Sequence, residues 1–239
     1  MKSLVVITGA SSGIGEALAR QMSAQGHPLL LLARRVERLE ALDLPNCICA
    51  KVDVTDQASF QAAIDNAVRH YGPVDLLVNN AGVMLLGQIE NQNAAEWKTM
   101  YDVNVLGLLN GMQSVLASMK ARNSGTIVNI SSVAGRKTFA NHAAYCGTKF
   151  AVHAISENVR EEVADANVRV ITIAPGAVET ELLSHTSSDD IIVTYQAWKQ
   201  DMGGVLAAAD VVNAVTFAYA QPQNVCIREI VLTATRQQP

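Results

Sequence analysis

The side chains best suited to chemistry are a tyrosine and a lysine four residues apart, Tyr145 and Lys149. If this stretch is helical, the two side chains lie on one face, one turn apart. A neighbouring ammonium favours phenolate, so the pattern predicts a pKa for Tyr145 below its free value of about 10. Such a phenol can pass a proton to or from an alcohol or a carbonyl near neutral pH. Tyr-x-x-x-Lys also occurs by chance on helix surfaces, so its meaning depends on the rest of the chain.

A nucleotide site is predicted near the start of the chain. The apolar run Leu4–Ile7 predicts a strand, and Ile14, Leu18 and Met22 predict a helix by their four-residue spacing. Between them lies a glycine-rich turn, Thr8-Gly9-Ala10-Ser11-Ser12-Gly13-Ile14-Gly15. Glycines let a backbone approach a pyrophosphate, and a helix N-terminus offers N–H groups to phosphates. The spacing is a variant of the usual fingerprint, and such a turn alone could be a plain strand–helix connection.

The residues after the second predicted strand, Leu29–Leu32, indicate which nucleotide binds. In dinucleotide folds an acidic residue near this point binds the ribose 2′-hydroxyl. Here Arg34 and Arg35 follow, and an arginine can bind a 2′-phosphate through two hydrogen bonds. We therefore expect NADP(H) rather than NAD(H), with Arg34 on the phosphate. Both arginines could instead be solvated residues that start the next helix, and Arg35 fits that interpretation better than Arg34.

Two further predicted strands end in residues suited to the same ligand. Ile48–Val52 is followed by Asp53, which could accept a hydrogen bond from an adenine amino group. Asp75–Val78 leads into Asn79-Asn80-Ala81-Gly82, whose small and amide residues would let the backbone lie against a ribose. Ligands of open α/β sheets bind at the carboxyl ends of the strands, where all of these residues fall.

The second half of the chain positions the tyrosine and the lysine. Val103–Lys120 is predicted to be a long helix with Asn104 near its start, and Thr126–Ile130 a strand that runs into Ser131-Ser132. The helix that carries Tyr145 extends to about Ala164. The remaining predicted elements are the helix Gln57–His70, the strand Val168–Ala174 before Pro175-Gly176, the helix Ala207–Tyr219 and the strand Arg228–Thr233.

Composition narrows the classes of protein. With 239 residues, 49% of them hydrophobic, the chain can build one large α/β domain over residues 1–239. A net charge of −4 without basic runs makes nucleic acid and membranes poor partners. We expect no signal peptide and no membrane span. The four cysteines indicate reduced thiols in a cytoplasmic protein, and no metal site is expected because no histidine-rich cluster occurs.

Taken together, the motifs resemble those of the short-chain dehydrogenase/reductase family, in its compact single-domain branch. The resemblance runs from Leu4 to about Thr180, and each motif stands in the family's order. The motifs are Thr8-Gly9-Ala10-Ser11-Ser12-Gly13-Ile14-Gly15, Asn79-Asn80-Ala81-Gly82, Asn104, Ser132, Tyr145 with Lys149, and Pro175-Gly176 followed by Val178 and Thr180. The resemblance and the strand count imply a doubly wound, Rossmann-like α/β fold, with a mostly parallel seven-stranded sheet and helices on both faces.

The resemblance also implies roles for single residues. Tyr145 would be the general acid in reduction and the base in oxidation, and Lys149 would lower its pKa and hold the nicotinamide ribose. Ser132 would hydrogen-bond the substrate oxygen, and Asn104 would hold a water that links Lys149 to solvent. The implied cofactor-binding residues are Gly9, Ser11, Ser12, Gly13, Ile14, Gly15, Arg34, Arg35, Asp53, Val54, Asn80, Ala81, Gly82, Tyr145, Lys149, Pro175, Gly176, Val178 and Thr180. The two long helices would pack against another subunit in a homodimer or homotetramer.

The segment after Thr180 is expected to decide which substrate binds, and its sequence indicates less about function than the rest of the chain. By the resemblance, residues 181–204 form a mobile lid, which can exclude water on closing. Apolar residues near the expected pocket, such as Met84 and Leu85, suggest an alcohol or carbonyl substrate with an apolar body. Arg136 or His142 could instead meet an acidic group.

The predicted function is reversible hydride transfer between NADP(H) and an alcohol, aldehyde or ketone. The same chemistry with NAD(H) is one alternative, and a non-catalytic protein that senses nucleotide redox state is another. A purely structural subunit of an assembly is a third, which the complete set of motifs disfavours.

Overall fold

One parallel sheet forms the centre of the computed structural model, which describes residues 2–237. Its strands are β1 (Leu4–Thr8), β2 (Leu29–Ala33), β3 (Cys47–Lys51), β4 (Val74–Asn79), β5 (Gly125–Ile130), β6 (Val168–Pro175) and β7 (Glu229–Leu232). They lie in the order β3-β2-β1-β4-β5-β6-β7, and every neighbouring pair is parallel. The predicted doubly wound fold with a seven-stranded sheet is therefore confirmed. The chain changes direction of travel across the sheet between β1 and β4, and ligands of such sheets bind at this switch point.

Helices cover both faces of the sheet. They are α1 (Gly13–Ala24), α2 (Val36–Glu40), α3 (Gln57–Tyr71), α4 (Ala94–Tyr101), α5 (Gly107–Ala121), α6 (Ala143–Glu162), α7 (Asp189–Asp201) and α8 (Ala208–Tyr219). Side chains of α1 and α8 pack on one face with Val5, Ile7 and Leu31. Those of α3, α5 and α6 pack on the other face with Val6 and Leu30. Neighbours in one strand thus enter opposite cores, as a strand buried on both faces requires.

Two predicted segments differ from the structure. The helix expected to begin at Val103 continues from α4 through a π-helical turn, Asp102–Leu106, before α5 begins. The predicted lid is largely helical: a short 3₁₀ helix, Glu181–His185, precedes α7. None of the apolar residues of α7 is fully buried, but Ile191, Tyr195 and Trp198 follow a helical spacing on the side that lines the cavity. This spacing was the signal of the helix in the sequence.

A buried polar chain fixes α6 against the sheet. Asn79 and Asn129 are register partners in β4 and β5, and their side chains form a hydrogen bond of 2.9 Å. Asn129 Nδ2 also donates to Ser156 Oγ at 2.9 Å. Polar groups buried from water are tolerated when they bond in this way. The bonds hold the helix that carries Tyr145 at a defined depth over β5.

None of the helices in residues 2–237 combines the length and the apolar character that crossing a bilayer requires.

Candidate active site

A cavity of about 630 Å³ lies at the carboxyl ends of the central strands, β1, β4 and β5. The sequence-predicted site residues converge on it. The predicted residues that line it are Gly9, Ser11, Ser12, Gly13, Ile14, Arg34, Arg35, Asp53, Val54, Asn80, Ala81, Gly82, Ser132, Tyr145, Lys149, Pro175, Gly176, Val178 and Thr180. Gly15 and Asn104 are not part of the lining, and both lie directly behind it.

The glycine turn places uncapped helix amides at this cavity. Gly9 and Gly13 have φ angles of +63° and +56°, which side-chain-bearing residues rarely adopt. Ser12 begins α1 without a side-chain cap, whereas Asp56 accepts hydrogen bonds from Ala58 and Ser59 at the start of α3. The first N–H groups of a helix need a partner from outside the helix. The start of α1 thus suits an anionic phosphate group, as the dinucleotide interpretation requires.

Gly15 serves packing rather than contact with a ligand. A Cβ atom there would lie 2.3 Å from Gly9 O and 2.6 Å from Asn80 Nδ2. Only glycine lets α1 lie this close to the turn that follows β1. The part of Gly15 in nucleotide binding stays a prediction, and in this structure it would act through the turn that it supports.

Thr8 ties the ends of β1 and β4 together. Its Oγ1 accepts hydrogen bonds of 3.0 Å from the backbone N–H groups of Asn80 and Ala81. Asn80 Nδ2 donates in return to Thr8 O and Gly9 O, at 3.0 and 3.1 Å. The sequence indicated Thr8 only as part of the glycine motif. Its position at the end of a buried strand was the signal of this role.

Three arginines surround the outer end of the cavity. Arg34 is exposed and, in the described part of the chain, forms no hydrogen bond or ion pair. Arg35 reaches Ser11 Oγ at 3.4 Å and Ser12 Oγ at 3.3 Å. It also forms a 3.3 Å ion pair with Glu181, which Arg38 holds at 3.0 Å. Arg35 is exposed and begins α2, as the alternative interpretation expected, and it also contacts the glycine turn and Glu181. Arg38 was not indicated by the sequence.

Asp53 lies beside these arginines at the end of β3. Its Oδ1 accepts hydrogen bonds from Thr55 N at 3.0 Å and Thr55 Oγ1 at 2.8 Å. These bonds and the nearby Arg34 charge lower the pKa of Asp53. The carboxylate is therefore ionised at neutral pH and can accept a hydrogen bond at its other oxygen.

Tyr145 and Lys149 lie on one face of α6, as the spacing predicted, and both are buried. Lys149 Nζ lies 5.8 Å from the centre of the Tyr145 ring and donates to Ile130 O at 3.0 Å. Burial lowers the pKa of Lys149 to about 8. Burial raises the pKa of Tyr145 above its ordinary value, and a hydrogen bond with Ser132 opposes that rise. The predicted lowering of the Tyr145 pKa by Lys149 is therefore wrong, because loss of hydration outweighs the ammonium at this distance.

Ser132 completes this group at the end of β5. Its Oγ accepts a 3.1 Å hydrogen bond from Ala134 N, which starts the short helical turn Val133–Gly135. Its neighbour Ser131 donates to Lys149 O at 3.3 Å. The serine pair is thus fixed to α6, and the Ser132 hydroxyl is held beside the Tyr145 phenol.

Asn104 holds the wall behind Lys149. Its Oδ1 accepts from Val83 N at 2.8 Å, and its Nδ2 donates to Val83 O at 2.9 Å and Thr148 Oγ1 at 3.1 Å. The π-helical turn points this side chain at the segment after β4. All the recorded bonds of Asn104 are within the protein.

Gln237, near the C-terminus, lines the cavity and was not indicated by any sequence pattern. Its Oε1 accepts a 3.0 Å hydrogen bond from Ala177 N. A Cβ atom on Gly176 would lie 2.1 Å from this oxygen. Gly176 therefore lets the tail close over the end of β6.

Within 2–237, no three His, Cys, Asp or Glu side chains are grouped so that they could hold a metal ion.

Comparison with known proteins defines the class. The family profile described as short chain dehydrogenase matches residues 3–191. An uncharacterized oxidoreductase of Staphylococcus saprophyticus is 38% identical over 98% of this chain and 96% of its own. The chain therefore belongs to the short-chain dehydrogenase family, a family of oxidoreductases, and the resemblance seen in the motifs is confirmed.

Solved structures agree with this assignment. The closed form of a serine dehydrogenase complexed with NADP⁺ superposes with a TM-score of 0.93 at 32% identity, covering 99% of this chain and 96% of that one. An alcohol dehydrogenase from the archaeon Thermococcus sibiricus, complexed with 5-hydroxy-NADP, gives a TM-score of 0.87 at 28% identity. That match covers 100% of this chain and 99% of the other.

Proposed function

We propose that this protein transfers hydride reversibly between NADP(H) and an alcohol, aldehyde or ketone. The observation that carries the proposal is the buried group of Ser132, Tyr145 and Lys149, which lines the same cavity as the uncapped start of α1. Bound nicotinamide would supply or accept the hydride. The protein's part is then to bind, orient and move a proton.

Tyr145 is the proposed proton donor to the carbonyl oxygen in reduction. A donor must be protonated before the step, and the raised pKa of Tyr145 keeps the phenol neutral at physiological pH. Ser132, already hydrogen-bonded to this phenol, would donate to the same oxygen as negative charge develops on it.

Lys149 is proposed to hold the nicotinamide ribose hydroxyls through its ammonium. With a pKa near 8, it is mostly charged at pH 7 and can also return a proton to Tyr145. Asn104 is proposed to support this path by fixing Val83 and Thr148, and to hold the water that carries protons to solvent.

NADP(H) is proposed over NAD(H) because of charge at the outer end of the cavity. Arg34, Arg35 and Arg38 gather there, and β2 is not followed by the acid that binds a free ribose 2′-hydroxyl. Arginine binds phosphate through paired N–H groups. The complexes with NADP⁺ and 5-hydroxy-NADP among related structures support the same choice.

Self-association is proposed from the surface of the long helices. On and beside these helices, Tyr101, Leu106, Leu109 and Phe150 expose between 37% and 51% of their surface, while neighbouring apolar residues such as Leu108 are buried. Exposed apolar groups of this kind mark contact surfaces. A homodimer or homotetramer would cover them, and light scattering measures the mass directly.

Titration with NADPH and NADH, followed by nucleotide fluorescence, tests the cofactor. We expect NADPH to bind at least about tenfold more tightly, since a charge-assisted phosphate contact contributes about 1.5–3 kcal/mol. Arg34→Asp should remove that preference, and Arg20→Asp, on the outer face of α1, should leave it. Tighter binding of NADH by the unaltered protein would contradict the NADP(H) assignment.

The sensor alternative predicts a different result for Tyr145→Phe. A sensor needs nucleotide binding but no proton donor, so Tyr145→Phe would leave its sensing function unchanged. The enzyme should bind NADPH normally and lose turnover, because only the reacting oxygen needs the phenol proton.

A further inference from the structure

Five rings cluster at the inner half of the cavity, opposite the nucleotide-binding turn. His142 is at their centre: its ring centre lies 5.6 Å from Phe139, 6.3 Å from Tyr145 and 6.3 Å from Tyr195. Tyr195 in turn contacts Trp198 edge to face at 5.2 Å. All five residues line the cavity, and Tyr195 and Trp198 belong to α7. A substrate that presents its carbonyl to Tyr145 must place its body among these rings.

The hydrogen bonds of His142 define what its ring can offer. Its Nδ1 lies 2.6 Å from Ala140 O, and a carbonyl oxygen only accepts, so Nδ1 carries the proton. Burial lowers the pKa of His142, so the ring is neutral at physiological pH. In a neutral ring with a protonated Nδ1, Nε2 is an acceptor. No hydrogen bond to Nε2 is recorded within residues 2–237, so this acceptor remains for a ligand.

Two lysines lie nearest to the rings. Lys149 Nζ is 5.8 Å from the centre of the Tyr145 ring and donates to Ile130 O, and Lys137 Nζ is 5.6 Å from the centre of the Phe139 ring and belongs to a residue outside the cavity lining. Lys199, also in the cavity lining, forms a 2.6 Å ion pair with Glu179. Arg136 donates from Nε to Glu229 at 2.6 Å and is outside the lining. His185, at the start of the lid, has a lowered pKa because of burial and nearby arginines. Of the lining lysines, Lys199 is already paired with Glu179 and Lys149 lies at the Tyr145 end of the cavity. A carboxylate at the other end of the substrate would therefore meet a lone pair and aromatic walls, which is costly in a buried site.

We propose that the substrate of this site is an uncharged carbonyl compound with an aromatic or apolar body, and that the neutral His142 selects it. Nε2 accepts a hydrogen bond from a hydroxyl or N–H group on that body and disfavours a carboxylate. This inference rests on the proposed function and names its substrate class. It separates this chain from the serine dehydrogenase it resembles, whose named substrate is an amino acid.

A pair of nearly isosteric aldehydes tests the selection. Methyl 4-formylbenzoate and 4-formylbenzoate share the ring and the aldehyde and differ chiefly in charge. Calorimetric titration of the protein–NADP⁺ complex measures binding without reduction, and NADPH oxidation measures turnover. We expect the ester to bind and to react at least about 100-fold better than the carboxylate, as expected for an uncompensated charge in an enclosed site.

Three variants assign the effect to His142. His142→Lys should raise the kcat/KM for the carboxylate at least about tenfold, since a buried counter-charge is supplied. His142→Gln, which stays neutral and keeps an acceptor, should preserve the preference for the ester. His142→Leu should weaken the binding of 4-(hydroxymethyl)benzaldehyde about fivefold relative to the binding of 4-methylbenzaldehyde, because one hydrogen bond is lost.

The outcomes separate the inference from the function. If the ester binds selectively but is not reduced, the proposed function fails while the selection stands. If the carboxylate binds or reacts as well as the ester, the selection is overturned and the function stands. If neither aldehyde binds a protein that binds NADP⁺, the inference is overturned as well.

Discussion

Glu181 and Arg35 form an ion pair of 3.3 Å that joins the start of the lid to the end of β2. Arg38 holds the second oxygen of the same carboxylate at 3.0 Å. These arginines are the groups expected to meet the 2′-phosphate of NADP(H). Glu181 is negatively charged, as that phosphate would be, and it binds two of the arginines that are expected to bind the phosphate.

Glu181→Gln should tighten NADPH binding about two- to fivefold and leave NADH binding unchanged. Removal of the carboxylate frees both arginines and ends its repulsion of the phosphate, and exposed charges have modest effects. Fluorescence titration at low salt measures the change, which should shrink as salt is added. Glu157→Gln removes an exposed carboxylate that pairs with Arg160 on α6, and serves as the control. An equal gain for NADH would show that Glu181 does not compete with the phosphate.

Lys149→Met should raise the free energy of unfolding at pH 7 by about 2 kcal/mol while abolishing turnover. The folded protein lowers the pKa of Lys149 to about 8, whereas an unfolded lysine titrates near 10.4. Below pH 8 both states bind the proton, so the full cost of burying the ammonium persists. Loss of the bond to Ile130 O offsets part of the gain. Urea unfolding of both proteins measures the difference in their free energies of unfolding.

The pH dependence gives this prediction a second test. Between pH 8 and about 10.4 the unfolded state holds more protons at Lys149, so the unaltered protein gains stability relative to the variant as pH rises. The advantage of Lys149→Met should therefore shrink over this interval. A constant difference across these pH values would show that the Lys149 pKa is not lowered by folding.

Asn104→Ala should lower the free energy of unfolding by about 2–3 kcal/mol. It leaves Val83 N, Val83 O and the Thr148 hydroxyl without the partner that they have in the buried wall. Asn110→Ala is a matched control, since Asn110 donates one recorded bond, to Val54 O at 2.9 Å. The free energy of unfolding of that variant should fall by about 1 kcal/mol. Equal losses in urea unfolding would show that Asn104 does not support the Val83 segment.

The sequence predicted the sheet well because each strand is a dense apolar run that ends at a polar or glycine-rich turn. The motif residues converged on one cavity, since the carboxyl ends of parallel strands share one edge. The lid helix α7 escaped prediction because its apolar residues are only half-buried and the resemblance indicated a mobile segment there. Sequence patterns predict elements that are buried in a core more readily than a surface helix that is only half covered.

Other misses depend on distances that spacing does not give. The Tyr145 pKa required the burial of the phenol and its separation from Lys149, which a helical repeat leaves open. Arg38 and Glu181 are remote in sequence, and Gln237 reaches the cavity only through the fold of the tail. Contacts of this kind carry no local pattern.

Deuterium transfer tests the central claim most directly. The protein is incubated with NADPH carrying deuterium at both hydrogen positions of C4 of the nicotinamide and with methyl 4-formylbenzoate, and the product is analysed by mass spectrometry. The account predicts an alcohol with one deuterium on the carbinol carbon, and at least about 1000-fold less of it from Tyr145→Phe, since general acid catalysis contributes up to about 10⁴-fold. An alcohol without the label, or undiminished transfer in Tyr145→Phe, would contradict it.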